Sequence, residues 1–430
     1  MKILVLFLAL SSYLSANNQW VQKLNFEGIA IDAAKPLAHG NLIYVYGGNT
    51  EATAGEGLTE MWIYNTQTGH WVQGPSSSGD GRNSYAAVSC GGKFFYIGGF
   101  TSQYTADPSM SSILVFDPAD ATESVYGSWL SSHPIDSLPS TIYLAGVGAV
   151  CYDNHIYVHG GWGNRTYSNI AFDNHDSLYK IPVNTSTPTW TTLASSSIYR
   201  SFHTMNLIGD KIIITGGLLN APVDYSPSTE SVEIYHISSN VWTSGEPMPT
   251  PRYNHSAAVL GGLLYVQGGF DYRPGGYILD TTLVYDPATD TWVDSTPLNS
   301  GRVSQGALTM GSEIYVIGGV NAIWEPMIEV FTYGTPQMLG NGEPEHIPKW
   351  NQNMELVNSV FVQYNSMIGL GNSTPVVSLD ISGDGIRIRD AKTPGSSGTA
   401  CEAGQISWDS SYIYVCIATN SWKRVSLSSF

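Results

Sequence analysis

Short runs of β-branched and aromatic residues alternate with polar, glycine-rich stretches along most of this chain. Six of the runs close on a glycine pair: YVYGG ending at Gly48, FYIGG at Gly99, YVHGG at Gly161, IITGG at Gly217, YVQGG at Gly269 and YVIGG at Gly319. Apolar runs this short, bounded by turn residues, predict strands. Successive pairs lie 51, 62, 56, 52 and 50 residues apart, so one unit recurs six times. After five of the pairs an aromatic and then a tryptophan follow: Tyr64 and Trp71, Phe116 and Trp129, Tyr179 and Trp190, Tyr235 and Trp242, Tyr285 and Trp292. The sixth pair is followed by Phe331 but by no tryptophan at that distance. Trp20, in NQWVQKLN, stands instead ahead of the first unit and matches HWVQGP, VWTSGE and TWVDST. A unit of this length predicts a four-stranded propeller blade, and the displaced tryptophan strand predicts a ring closed between its own termini, which removes an open sheet edge.

Diglycine, aromatic and tryptophan recurring in this order resemble the kelch family over residues 17–335. The resemblance implies an all-β fold: a six-bladed kelch-type β-propeller closed by an N-terminal strand. Beyond it, TPQMLGNGEPEHIPKW reads as a linker, and Val357, Val360, Phe361, Tyr364 and Ile368 sit at helical spacing. Residues 336–375 are therefore expected to be a linker with a short amphipathic helix, which either packs on the rest of the chain or pairs subunits. Residues 376–430 alternate again and predict a small C-terminal β module. Its ending, SWDSSYIYVCIATNSWKRV, resembles modules that close phage and large-virus structural proteins, tail and fibre components among them. That resemblance implies a virion or surface-assembly setting. A virus of a eukaryotic host or a secreted cell-surface protein fits as well as a phage.

Composition narrows the picture further. Charged residues make up only 12% of the chain and the formal net charge is −17, which disfavours nucleic acid, whose binding rests on Lys and Arg neutralising phosphates. Residues 1–16, MKILVLFLALSSYLSA, read as a secretory signal peptide, with a short N-terminal strand or anchor as the alternative. No later apolar run reaches the roughly 20 residues of a membrane span, so the expected location is secreted or extracellular, on a cell surface or virion. The four cysteines suit export. Cys401 and Cys416 bracket an expected hairpin and are the disulfide candidates; Cys90 and Cys151, at similar places in neighbouring repeats, are either a second bridge or buried thiols. Sequons at Asn164, Asn184, Asn254 and Asn372 are candidate glycan acceptors.

Catalytic signatures are sparse. HExxH, GxSxG and GxxxxGK[ST] are absent, as is the repeated Asp-box of six-bladed sialidases. Copper radical oxidases also use kelch-type rings, but the ten histidines here show no ligand pairing. The string Asp380, Ser382, Asp384, Gly385 starts like a calcium loop but has Ala391 where a bidentate Glu is needed, and reads as a tight turn. No cofactor or metal is expected.

The loops carry the functional expectation. The connection before each inner strand and the one after each diglycine should open on one face of the ring, where rigid scaffolds present binding residues. These loops contain Tyr104, Trp162, Tyr167, Phe172, Tyr225, Phe270, Tyr272, Tyr277 and Trp324, with Glu56, Asp107, Asp224 and Asp271. Arg82, Arg200, Arg252 and Arg302 are expected near the channel mouth. In the kelch family such arginines often line the ligand pocket, which is one reading; the other is that each bonds neighbouring blade carbonyls. His203 and His255 follow two of them by three residues. The resulting expectation is a non-catalytic, exported binder of a protein or surface glycan, self-associating through the helix and C-terminal module. The alternatives are a sialic-acid mutarotase-like enzyme and a purely structural virion protein.

Overall fold

A computed structural model describes residues 20–22, 31–50, 56–78, 81–101, 111–119, 126–139, 145–163, 173–219, 227–273, 275–321 and 328–332. It also describes residues 345–350, 356–364, 367–370, 379–381, 394–398, 400, 406–408 and 411–426. The chain divides into two compact units, Met1–Thr335 and Pro336–Phe430.

The first unit is a six-bladed propeller of antiparallel four-stranded sheets. The inner strands are Pro36–His39, Ala86–Cys90, Gly148–Tyr152, Thr204–Ile208, Ser256–Leu260 and Gly306–Met310 in blades 1 to 6. Each packs against the next, and the last packs against the first, so the ring is closed. The second strands, such as Leu42–Tyr46 and Lys211–Thr215, end at the diglycines and are the most deeply buried. Their apolar runs need no polar face because sheets cover them on both sides.

Blade 6 takes its outer strand, Trp20–Gln22, from the N-terminus, pairing antiparallel with Ile328–Thr332. Trp20 stands opposite Phe331, as Trp71 does to Tyr64, Trp129 to Phe116, Trp242 to Tyr235 and Trp292 to Tyr285. Blade 3 departs from this: Tyr179 faces Thr192, and Trp190 precedes the paired residues. The indoles also tie blades together. Trp129 donates to Pro75 O, Trp190 to Ser137 O, Trp242 to Ala194 O and Trp292 to Glu246 O, each in the preceding blade, at 2.7–2.9 Å. Trp20 continues the series by donating to Thr296 O at 3.0 Å.

The glycine pairs have a steric cause. Gly160 and Gly161 both have positive φ, and a Cβ on Gly160 would lie 2.7 Å from the carbonyl oxygen of Arg200 in the next blade. Gly161 N donates to that same oxygen at 2.9 Å. The pair thus lets the backbone of one blade meet that of the next, in a conformation few other residues adopt.

Cys90 and Cys151, at the ends of the inner strands of blades 2 and 3, form a disulfide with Cα atoms 5.6 Å apart. It spans 61 residues of sequence, for which loop-closure entropy gives about 4 kcal/mol. Urea unfolding of Cys90→Ala/Cys151→Ala should show a loss near that size; a loss below about 1 kcal/mol would mean that the bridge does not constrain the ring.

In the second unit, Glu345–Trp350, Leu356–Tyr364, Met367–Leu370 and Leu379–Ile381 form one sheet, and Ile406–Trp408, Tyr412–Ala418 and Ser421–Ser426 another. The helix expected across 357–368 is therefore a correction: the segment is two strands, and no helix occurs among the described residues. Val357, Val360, Phe361, Val362 and Tyr364 are strong strand formers, and neighbours on both sides let them pair. Cys416 is buried and disulfide-bonded, whereas its expected partner Cys401 lies outside the described residues.

Candidate functional site

A residue two or three places before each inner strand reaches the left-handed region: Ala33, Ser84, Gly146, Phe202, Asn254 and Ser304 have φ between 49 and 63°. Their backbones bond head to tail. Ala33 N donates to Ser304 O, Ser304 N to Asn254 O, Asn254 N to Phe202 O, Phe202 N to Gly146 O, Gly146 N to Ser84 O and Ser84 N to Ala33 O, at 2.7–3.4 Å. This closed hydrogen-bonded circle rims the axial channel. Left-handed Ala, Ser and Phe cost on the order of 1–3 kcal/mol each, a cost tolerated only where the surroundings enforce it. Gly146 has a second constraint, since a Cβ there would press on the Phe202 ring at 3.0 Å.

Outside the circle, the residue before each rim position bridges the residue after a diglycine. Asp32 pairs with Asn49, Asn83 with Phe100, Ala145 with Trp162, Ser201 with Leu218, Tyr253 with Phe270 and Val303 with Val320. Both connections thus open on the same face.

The arginines lie within the wall beneath this face and not on a pocket surface. Arg82, Arg200, Arg252 and Arg302 are at most 3% exposed. Each donates from Nη1 to the carbonyl of the first diglycine residue of its own blade: Gly98, Gly216, Gly268 and Gly318. Arg82 and Arg252 also bond the Ser112 and Thr281 hydroxyls. Arg200 pairs with Glu233 at 2.7 Å, and Arg302 pairs with Glu329. Glu329 in turn accepts from Asn299 N, and Asn299 Nδ2 donates to Trp20 O, so the network reaches the closing strand. The ligand-lining reading of the arginines is corrected by this burial.

The histidines have a similar fate. The residue preceding each diglycine meets the residue following the next blade's rim position, and the two match in polarity. His159 Nδ1 lies 3.3 Å from His203 Nε2, and His159 Nε2 lies 2.9 Å from Ser196 Oγ. Thr215 Oγ1 meets His255 Nε2 at 3.1 Å, Gln305 Nε2 donates to Gln267 O at 2.8 Å, and the Tyr85 hydroxyl donates to Tyr46 O. Burial, aided by neighbouring positive charge, lowers His159 to about 3 and holds His203 and His255 well below the ordinary imidazole value. These rings are neutral interblade locks; His203 and His255 bond through Nε2, while Nδ1 of each is buried without a hydrogen-bond partner among the described residues. His159 was not singled out from the sequence, although its place before a diglycine was the available signal.

Blade 1 carries a different chemistry, which sequence reading missed. Lys35 directly precedes Pro36, which pairs with Val45, and so takes the place that Ala86, Gly148, Thr204, Ser256 and Gly306 hold in the other blades. Its charge acts on His203 and His255 in blades 4 and 5. Desolvation lowers it to about 8, opposed by the charge of Asp32. Burial raises Asp32 to about 7, opposed by Lys35. Asp32 Oδ1 and Asn49 Oδ1 are buried acceptors without a donor.

The aromatic face lies over blades 4 and 5. Phe202 contacts Tyr253, and Tyr253, Phe270 and Tyr272 contact one another with centroids 5.8–6.5 Å apart. The short hairpin Phe270–Asp271 with Tyr277–Ile278 raises this cluster. Tyr272, Tyr277 and Ile278 are exposed at its tip, and Tyr199 is exposed in blade 4. Burial would raise the Asp271 carboxyl, but Arg273, bonded at 2.5 Å, holds it below its usual value. Trp162 is half-buried against Phe100, 6.0 Å away. Trp324, Tyr104, Tyr167, Phe172, Tyr225, Asp107 and Asp224 lie outside the described residues, as do the sequons at Asn164 and Asn372. Asn184 is exposed. Asn254 sits in the rim, and the hydroxyl of its sequon Ser256 is buried and donates to Gln267.

Among known proteins, the Attractin/LZTR1 β-propeller family model matches residues 32–272 and the kelch motif matches residues 251–299. Beta-scruin of Limulus polyphemus is 31% identical over 206 residues, covering 43% of this chain and 21% of that protein. Human Kelch-like protein 23 is 26% identical over 278 residues, covering 63% and 42%. Human Multiple epidermal growth factor-like domains protein 8 is 25% identical over 284 residues, covering 59% and 10%. The match spans less than half the length of each of these relatives.

Proposed function

Because the chain belongs to the Attractin/LZTR1 β-propeller family, we propose that it is an exported, non-catalytic kelch propeller that binds a protein on a cell or virion surface through the face over blades 4 and 5. The observation that carries this reading is the cluster of Phe202, Tyr253, Phe270 and Tyr272 with Tyr199, Tyr277 and Ile278 exposed beside it. Buried aromatic anchors with a polar rim, here Asp271 and Arg273, are the composition of protein interfaces, and tyrosine is over-represented among their energetic centres. Export rests on the leader-like residues 1–16, and the Cys90–Cys151 disulfide supports an oxidising setting. The C-terminal unit is then the attachment module. Copies of it associate through the exposed Ile413 and Val425, which are cross-strand partners, with Ile406 and Ile417 exposed on the same sheet.

Fluorescently labelled propeller should bind live cells of the host, and binding should fall when surface proteins are trimmed by protease. Tyr272→Ala with Tyr277→Ala should weaken it at least tenfold while leaving the melting temperature within a few degrees, because exposed side chains contribute little to the ring. Binding that survives protease, or is indifferent to the two tyrosines, would refute this reading.

A further inference from the structure

We propose that the outer hairpin of blade 3 forms a binding cleft for an anionic saccharide. The site is separate from the aromatic face over blades 4 and 5, and either reading can fail without the other.

The cleft arises from an insertion. Tyr179 and Trp190 are eleven residues apart, whereas Tyr64 and Trp71, Tyr235 and Trp242, and Tyr285 and Trp292 are each seven apart. Without residues 185–188 the segment would read YKIPVNTW, close to YHISSNVW in blade 4. The four extra residues displace Trp190 from its usual place opposite Tyr179 and shorten the outer strand to Thr191–Thr192. They leave a cleft of about 480 Å³, within the usual range of small-ligand sites.

Lys180, Pro182, His155 and Thr191 line it from one face of the sheet, because Lys180 pairs with Thr191 and His155 pairs with Pro182 two residues further along. Asn184, Thr185, Thr187 and Thr189 line it from the connecting loop. That loop is shaped by Thr187 N donating to Thr185 Oγ1 at 3.4 Å, and its base is tied down by Val183 N donating to Asn154 O at 2.9 Å. The lining chemistry selects the ligand. Threonine hydroxyls and asparagine amides both donate and accept hydrogen bonds, which is what the hydroxyls of a sugar require. His155 Nδ1 lies 2.7 Å from Asp153 O, and since a carbonyl only accepts, Nδ1 carries the proton and Nε2 is left as an acceptor for a ligand hydroxyl. Lys180, half-buried, supplies the fixed charge; no carboxylate lines the cleft, and among the described residues the ammonium makes no ion pair. On a chain of net charge −17, a cleft with a cation and no acid favours a ligand that brings its own carboxylate.

The carboxylate comes either from a free sugar acid or from a sugar within a glycan chain. Saturation-transfer NMR of the full chain, secreted into a bacterial periplasm so that disulfides form and Asn184 carries no glycan, tests both. Glucuronate should bind about fivefold tighter than glucose, the size expected of a half-exposed charge pair. Lys180→Met should erase that preference and leave the melting temperature within a few degrees. Deleting residues 185–188 should abolish binding of both sugars while the propeller stays folded; if the shortened chain does not fold, Lys180→Met decides. Tyr272→Ala with Tyr277→Ala should leave this binding unchanged, which keeps the test apart from that of the aromatic face. A hyaluronan tetrasaccharide, in which glucuronate alternates with N-acetylglucosamine, separates the sources: tighter binding than glucuronate assigns a glycan chain, and binding no tighter assigns a free sugar acid. Glucose bound as tightly as glucuronate, a preference that survives Lys180→Met, sugar binding by a folded shortened chain, or no binding of any probe overturns the proposal.

Discussion

Lowering the pH from 6.5 to 4.5 should destabilise the propeller by about 5 kcal/mol, measured as a falling urea midpoint. His159, His203 and His255 are buried as neutral rings with folded values far below 6.5. Above 6.5 neither the folded nor the unfolded chain protonates them, so they leave stability unchanged. Below it the unfolded chain binds three protons that the folded ring refuses, and each lowers stability by about 1.4 kcal/mol per pH unit. Asp32 acts the other way. Its folded value of about 7 lies above the unfolded 3.8, so between those values the folded state holds an extra proton and gains stability as pH falls. Three protons against one leave a net of two, and two pH units then give the stated loss. Against an ordinary stability of about 5–15 kcal/mol this is enough to approach unfolding. Replacing His203 and His255 by Gln should remove essentially all of that net, because His159 alone then offsets Asp32. A urea midpoint constant from pH 6.5 to 4.5 in the parent protein would mean that the histidines are not the neutral locks the geometry describes.

The propeller was legible because its signals repeat. Diglycines, aromatics and tryptophans six times over outweigh any local ambiguity, and Trp20 declared the closure by carrying the same flanking pattern as the internal outer strands. The segment at 357–368 had no repeat to correct it. Its apolar residues satisfy a helical spacing, yet the same residues are β-branched or aromatic and pair as strands. Arg82, Arg200, Arg252 and Arg302 were ambiguous in the sequence, because five donors suit a ligand and a carbonyl equally; only their burial separates the two readings. The rim was invisible, since Ala33, Ser84, Phe202 and Ser304 are not residues that favour a left-handed backbone. Lys35 was invisible for another reason. It differs in type from the residues at the equivalent place in the five other blades, an equivalence that only the strand register reveals.

Removing the closing strand should have the largest effect of any single change. Trp20 is 5% exposed, lies 5.1 Å from the Phe331 ring, and shares a core with Tyr265, Val284, Ile314 and Val316. Trp20→Ala alone is therefore expected to cost about 3–5 kcal/mol, the usual range for emptying a buried aromatic site. It also removes the indole bond to Thr296 O, the last of a series joining blades 2 to 6 each to the one before. Deleting residues 17–25 goes further. It leaves Ile328–Thr332 as an open edge and strips Asn299 Nδ2 of its acceptor, the Trp20 carbonyl, while Glu329 stays buried against Arg302. An unpaired edge of alternating apolar residues is a template for association. The truncated chain should accordingly melt many degrees lower than Trp20→Ala and scatter light on warming at concentrations where the parent stays clear. If it melts with the parent and remains monodisperse, the ring does not depend on the N-terminal strand for its closure.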